Sequence, residues 1–346
     1  MKILLTGGTG FLGAHTAAKL LDHHHEVYLL GRDFDRDATR MHILILRGAK
    51  PLQVDLRDRA AVLDACRGME AVIHAGALSA AWGPKAEFEA VNVDGTQSVI
   101  DGSAAAGVSR FVHISSPAVI FTGADHVEAD ESWPYAPTFS SHYAATKKQA
   151  EVLVNTAHAR GLPTVILRPK AIFGPGDQAL LPRLLAAARA GRLRQFGSGE
   201  NRVDLTYVEN VAHAIMLALE ARAAVGKTYF VTNGEHVQLW PIIRRLLQSL
   251  HLPHKLQPLP IPVAMAAAKV MEWQASLTGR EPLLTRYSVG VLARTQTYKI
   301  TAARRDLGYA PIVPVEEGIN RTLAALHAAQ RAPAAIVRQP LGALPR

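Results

Sequence analysis

The chain of 346 residues is long enough for one large domain or two moderate ones, and its 49% hydrophobic and 19% charged content describes a globular protein with an ample core. No stretch reaches the ~18 uninterrupted apolar residues of a membrane span, because Lys269 and Glu272 break the segment that comes nearest, 261–273. The net charge of +9 comes from scattered residues without a dense basic run, so it suits a phosphate-bearing small molecule and argues against nucleic acid.

Residues 1–5 form an apolar run that predicts a buried strand, and Thr6-Gly7-Gly8-Thr9-Gly10-Phe11-Leu12-Gly13 turns from it into a helix over 14–21. A strand at the very start leaves no signal peptide to expect. Glycines at 7, 10 and 13 meet a specific need. The tight turn uses backbone angles that other residues avoid, and a pyrophosphate must approach bare N–H groups at the helix start. A strand before and a helix after are the context in which this spacing reads as a dinucleotide site. His23-His24-His25 falls in the next turn, where three adjacent residues cannot converge on one ion, so no metal is expected.

The second strand, 26–30, ends in Gly31-Arg32-Asp33. An acid at that tip receives the adenosine 2′-hydroxyl, whereas a small residue followed by arginine accommodates a 2′-phosphate. Asp33 lies beyond the tip, so Arg32 makes NADP(H) the expected coenzyme over NAD(H). Residues 34–49 show no clear pattern. Strands follow at 51–54, 71–74, 110–114 and 163–167, with helices at 57–66, to about 107, and at 143–160. Cys66, the single cysteine, reads as a buried thiol in a reducing compartment, and the cytoplasm is the expected location. Ala75-Gly76-Ala77 at one strand end are small enough for a flat cofactor to lie against the backbone.

This alternation predicts an α/β fold, a Rossmann-type doubly wound parallel sheet covered on both faces. Residues 123–141 read as a polar, proline-bearing loop. Beyond Pro169 the alternation is lost, and helical patterns at 180–190, 239–250, 263–277 and 315–329 predict a smaller, mainly helical substrate-binding region. The expected division is an NADP(H)-binding domain over 1–168 to which 203–231 returns, a substrate-binding region over 169–202 and 232–330, and a disordered tail over 331–346.

Tyr143 and Lys147 stand four positions apart, on one face of a helix. A free phenol titrates near pH ~10 and is a poor base, but a lysine cation beside it favours the phenolate and is expected to lower that value. Ser116 follows the strand 110–114, on the edge where ligands bind in such sheets. There a serine hydroxyl can hold a substrate oxygen while Tyr143 exchanges a proton and a nicotinamide exchanges a hydride.

With these residues, Leu167-Arg168-Pro169, Gly174-Pro175-Gly176-Asp177 and 204–212 (DLTYVENVA) are similar to the extended short-chain dehydrogenase/reductase family, over about residues 2–326. Within it the chain resembles the 3β-hydroxysteroid dehydrogenase branch at Trp82-Gly83, Ser116-Pro117-Ala118-Val119-Ile120-Phe121, Leu284-Thr285-Arg286-Tyr287 and 303–309 (ARRDLGY). Gly174 to Gln178 with Pro182-Arg183-Leu184 resembles bacterial 2-alkyl-3-oxoalkanoate reductases in particular.

The resemblance implies Ser116, Tyr143 and Lys147 as a catalytic triad, with Lys147 also on the nicotinamide ribose. It implies Asp55 and Leu56 at the adenine, Ala75, Gly76 and Ala77 at the middle of the cofactor, and Pro169 and Ile172 near the nicotinamide amide. Asn92 would be structural or part of a water-linked proton path. Ser116 is preferred to Ser115 because Ala118-Val119-Ile120 aligns it with the family's S-x-x-V-Y pattern. The implied activity is NAD(P)-dependent interconversion of a hydroxyl and a ketone on a large apolar substrate, of 2-alkyl-3-oxoalkanoate or 3β-hydroxysteroid type.

The apolar run 261–268, continued by Val270, Met271, Trp273 and Leu277, suits that substrate by lining a channel or touching a membrane surface, and suits plain packing equally. A nucleotide-sugar epimerase carries the same triad and stands as the alternative. Dehydratases carry acids where Pro117-Ala118 stand here, and a non-catalytic NADP(H) sensor usually lacks the tyrosine or lysine. A homodimer is left open.

Overall fold

The computed structural model describes residues 1–331. Seven parallel strands form the central sheet: β1 (Lys2–Thr6), β2 (Glu26–Gly31), β3 (Lys50–Gln53), β4 (Ala71–His74), β5 (Arg110–Ile114), β6 (Thr164–Pro169) and β7 (Lys227–Val231). Their spatial order is β3-β2-β1-β4-β5-β6-β7. The chain leaves β1 for β2 on one side and later crosses to β4 on the other. The crevice above β1 and β4 is therefore the topological switch point, where ligands bind in open parallel sheets.

Side chains alternate across β1. Ile3 and Leu5 join Leu29 and Val165 in one core layer, and Leu4 joins Val72, Phe111 and Ile166 in the other. Both layers are covered, so the strand centres carry apolar residues at successive positions, as in Ile3-Leu4-Leu5 and Val165-Ile166-Leu167. Helices α1 (Phe11–Asp22) and α7 (Val208–Glu220) close the first face. Helices α3 (Arg59–Ala65), α4 (Gly95–Ala106) and α5 (His142–Ala159) close the second.

Residues 34–49, unpatterned in sequence, contain helix α2 (Ala38–Leu46). Its start signal is polar: the Asp37 side chain accepts from the Arg40 N–H, and only Met41 and Leu44 are buried behind it. Of the stretch 203–231, α7 and β7 pack on or pair in the main sheet, β7 running beside β6 from Lys227–Val165 to Val231–Pro169. Residues Arg202–Asp204 go elsewhere. They join His236–Gln238, Gln296–Tyr298 and His126–Ala129 in a separate four-stranded sheet.

That small sheet corrects one expectation: the stretch 123–141 is not all loop. It also adds strands to a substrate-binding region that is mainly helical, as expected. Pairing between strands about 170 positions apart leaves no local pattern to read. Around it, α6 (Leu180–Arg189), α8 (Leu239–Ser249), α9 (Ile261–Thr278), α10 (Arg286–Ala293), α11 (Thr301–Leu307) and α12 (Val315–Arg331) complete the C-terminal region. Trp240, Leu247 and Phe196 lie in its own core. Arg331 ends α12, and the rest of the expected tail lies outside the described residues. Among the described residues no helix is long and apolar enough to cross a membrane.

Candidate active site

The candidate residues collect where the parallel strands end. After β1, Gly7 takes φ +69°, and a Cβ added there would lie 2.8 Å from the Gly76 backbone beyond β4. A Cβ on Gly13 would meet the Gly7 carbonyl oxygen at 2.1 Å, so only glycine lets α1 sit this close to the turn. Gly10 is the N-cap residue of α1, is exposed, and offers no side-chain cap. Thr9, Phe11 and Leu12 flank it, half-buried. The first-turn N–H groups therefore face an open, positively polarised cradle free of side chains, which fits a pyrophosphate.

At the other end of the crevice, Leu56 is buried against Gly76, where an added Cβ would come within 2.8 Å of its side chain. Asp55 accepts from Arg57 Nη2 at 2.6 Å and Nε at 3.0 Å. Those bonds hold its carboxyl below the ordinary range against the desolvation that raises it. Arg32 reaches toward the same carboxylate at 3.9 Å with its side chain 60% exposed. Gly31 has no room for a side chain, since a Cβ would lie 2.5 Å from the Thr9 methyl carbon. Asp33 is occupied in its own turn, its Oδ1 accepting from the Asp35 and Arg36 N–H groups.

Ala75, Gly76 and Ala77 lead out of β4. Asn92, in a single π-turn at Ala90–Asp94, holds that loop. Its Oδ1 accepts from the Leu78 N–H at 2.7 Å, and its Nδ2 donates to the Leu78 carbonyl and to Thr146 Oγ1. A structural clamp between the β4 loop and α5 is thus what Asn92 provides. Pro169 is buried at the end of β6, and Ile172 packs against the main core. Between them Ala171 turns the chain at φ +44°, a strained angle for a residue with a Cβ.

The reacting hydroxyls come from two elements. Ser116 follows β5 and accepts from the Ala118 N–H at 3.2 Å, capping the short turn Pro117–Val119. Ser115, the neighbour, is buried with its hydroxyl unpartnered. Ser141 caps α5, accepting from the Ala144 N–H, and so places Tyr143 in the first turn of the helix and Lys147 in the second. Tyr143 is brought to Ser116, whose hydroxyl pulls the phenol's pKa down while burial pushes it up; burial wins, and the net shift is upward. The expected lowering by lysine is not what this geometry gives.

Lys147 is buried and donates from Nζ to the Ile114 carbonyl at 2.6 Å and to His113 Nε2 at 3.3 Å. Burial lowers its pKa to about 8, opposed by the Glu151 carboxylate one turn further along α5. Behind it, His113 is held well below its ordinary value and His74 at about 3, both by burial, so both imidazoles are neutral.

Three further residues belong to this neighbourhood. Glu151 accepts two hydrogen bonds from Arg168, at 2.9 and 2.6 Å, and one from Tyr135, in a buried network under the site. His113, set among Phe111, Val112 and Ile114, is the available signal for a polar partner of Lys147. Tyr287, at the start of α10, packs edge-on to Phe121 and lies within electrostatic reach of Tyr143. Its position in Leu284-Thr285-Arg286-Tyr287 marked a motif without stating what the phenol faces.

The chain matches the 3-beta hydroxysteroid dehydrogenase/isomerase family over residues 4–261. It belongs to that family. It is 40% identical to the 2-alkyl-3-oxoalkanoate reductase of Stenotrophomonas maltophilia over 330 residues, covering 93% of this chain and 98% of the relative. It is 34% identical to the decarboxylating sterol-4-alpha-carboxylate 3-dehydrogenase of Saccharomyces cerevisiae, covering 93% and 97%. In fold it is similar to the dTDP-glucose 4,6-dehydratase DesIV of Streptomyces venezuelae, solved with NAD bound, with a TM-score of 0.76 at 23% identity over 95% of this chain and 98% of that one. The UDP-glucuronic acid 4-epimerase of Bacillus cereus, also solved with NAD, gives 0.74 at 22% over 95% and 99%. Membership makes the chain an NAD(P)-dependent oxidoreductase on an extended short-chain dehydrogenase/reductase scaffold.

Proposed function

We propose that this enzyme interconverts a ketone and a hydroxyl on a large apolar substrate, either a 2-alkyl-3-oxoalkanoate or a sterol of 3β-hydroxy type. The observation that carries the reading is the meeting of Ser116 and Tyr143 at the sheet edge, with Lys147 anchored behind them. Ser116 holds the substrate oxygen. Tyr143, with its pKa raised by burial, is protonated at neutral pH, the state required to donate to a carbonyl oxygen as it is reduced. Lys147 is cationic below about pH 8 and compensates negative charge that develops on the phenol oxygen. Gly7 to Gly13, Leu56, Ala75 to Ala77, Pro169 and Ile172 hold a nicotinamide dinucleotide, which supplies or accepts the hydride.

The coenzyme in this reading is NADP(H). No carboxylate stands at position 31, Asp33 is turned into its own loop, and Arg32 is exposed and able to donate to a 2′-phosphate. The names of the two relatives, a reductase of 2-alkyl-3-oxoalkanoates and a dehydrogenase of sterol carboxylates, support an apolar carboxylic substrate. The test is a hydride-transfer assay with NADP(H) over long-chain 2-alkyl-3-hydroxy acids, 3β-hydroxysteroids and nucleotide sugars. Turnover of either apolar panel is the expected result. Turnover confined to nucleotide sugars would overturn the reading in favour of an epimerase.

A further inference from the structure

Beside the N-terminal turn of α5 lies a cleft of about 430 Å³, within the range of small-molecule sites. Trp82, Phe88, Phe139 and Trp273 line it, two of the chain's 4 Trp and two of its 9 Phe. Trp273 comes from α9. The opposite face of that helix, Ala264, Ala268 and Ala275, is buried, yet Trp273 stays 63% exposed, with Val270 and Leu277 also exposed beside it. Packing on the domain accounts for the alanines and leaves the indole unexplained.

The cleft is lined by sequence neighbours of the reacting groups on two elements: His142 and Ala145 flank Tyr143 on α5, and Arg286 precedes Tyr287 on α10. Its one carboxylate is neutralised: Glu272 accepts from the Arg286 N–H at 2.7 Å and from Nε at 2.6 Å. Lys269 stands at the lip, exposed, where its stem adds apolar surface and its ammonium stays in water. Such a cleft offers a hydrocarbon chain four aromatic surfaces and no unpaired buried charge.

We propose that this cleft takes the hydrocarbon arm of the substrate, leading it from Tyr143 out past Trp273, and that Trp82 and Trp273 determine which arm lengths the enzyme accepts. The proposal rests on the apolar-substrate reading above. The test uses the full chain, NADP⁺ and 2-alkyl-3-hydroxyalkanoic acids with short and long arms, for wild type, Trp82→Ala, Trp273→Ala and Ala145→Phe. Each variant is expected to lose roughly tenfold or more in kcat/KM for the long-arm acid and to stay within about twofold for the short-arm acid. Ala145→Phe fills the cleft rather than removing a wall, so the same selective loss from it excludes a general loosening of the fold, and NADPH titration checks that each variant binds coenzyme. Equal losses on both acids, or none on either, would overturn the cleft assignment and leave the reduction reading standing. Wild-type enzyme inactive on both acids would overturn the cleft assignment, and inactivity on the 3β-hydroxysteroids as well would overturn the two together.

Discussion

Lys147 Nζ donates to the carbonyl oxygen of Ile114, 2.6 Å away, and so ties α5 to the last residue of β5. Ser116 lies two residues beyond that carbonyl and Tyr143 one helical turn before that lysine. One buried, charge-assisted bond therefore fixes the spacing of the two hydroxyls, in addition to the lysine's electrostatic part.

Tyr143→Phe removes the proton donor and keeps the ring. Turnover should fall by roughly 10²-fold or more, the usual scale for a lost general acid, with NADPH binding nearly unchanged. Ser116→Ala should reduce turnover less, since it removes a holder of the substrate oxygen and leaves the donor. Steady-state rates beside coenzyme titrations check both, and a Tyr143→Phe enzyme that kept its rate would remove Tyr143 from the mechanism.

Arg32→Ala should weaken NADPH binding by about tenfold, the scale of one charge-assisted hydrogen bond of ~1.5 kcal/mol, and leave NADH unaffected. Arg32 is exposed and its ion pair with Asp55 is long, at 3.9 Å, so little structural support is lost with it. Fluorescence titration with each coenzyme decides the matter. Equal NADH and NADPH affinities in the wild type would make Arg32 an ordinary surface residue.

The parts of the site that could be read from sequence are those carried by local chain geometry. Glycine spacing at 7, 10 and 13 reports a turn that only glycine can make, and the four-residue step from Tyr143 to Lys147 reports a helix face. What depends on distant partners left no such trace. His126–Ala129 becomes a strand only because Gln296–Tyr298 lies beside it. Tyr287 faces Tyr143 only once α10 has docked. The upward shift of Tyr143 is not legible in spacing for the same reason: spacing reports a cation nearby, whereas burial is set by everything packed around the phenol.

Glu151 supports the site from below and gives a two-part prediction. Its pair with Arg168 is buried, at 0% and 5% exposure, and Arg168 also lies over the rings of Tyr135 and Phe230. Glu151→Gln leaves a buried guanidinium without its counter-charge and should cost ~3–5 kcal/mol of stability, read from urea unfolding. Glu151 also raises the pKa of Lys147. Its removal should bring the alkaline limb of the pH–rate profile to lower pH. An unmoved limb would show that Lys147 does not govern it.

Lys170 gives the pH prediction that is independent of catalysis. It is 7% exposed, its Nζ donates to Gln296 Oε1 at 2.6 Å, and burial lowers its pKa to about 8 from 10.5, with Asp204 opposing. The unfolded chain keeps the ordinary lysine value, so between about pH 8 and 10.5 the unfolded state binds more protons than the folded one. Stability contributed by this group therefore rises with pH across that window, and below it the folded state bears the full cost of a buried cation. At ~1.4 kcal/mol per pKa unit the whole effect is about 3 kcal/mol. Lys170→Met removes the titration at similar side-chain length, at a constant cost for the unpaired Gln296 carbonyl. The stability difference, wild type minus Lys170→Met, should thus grow in favour of the wild type as pH is raised from 7.5 to 9.5, by roughly 1–2 kcal/mol. Urea unfolding of both proteins at the two pH values measures it, and a difference independent of pH would mean that Lys170 titrates alike in the folded and unfolded chains.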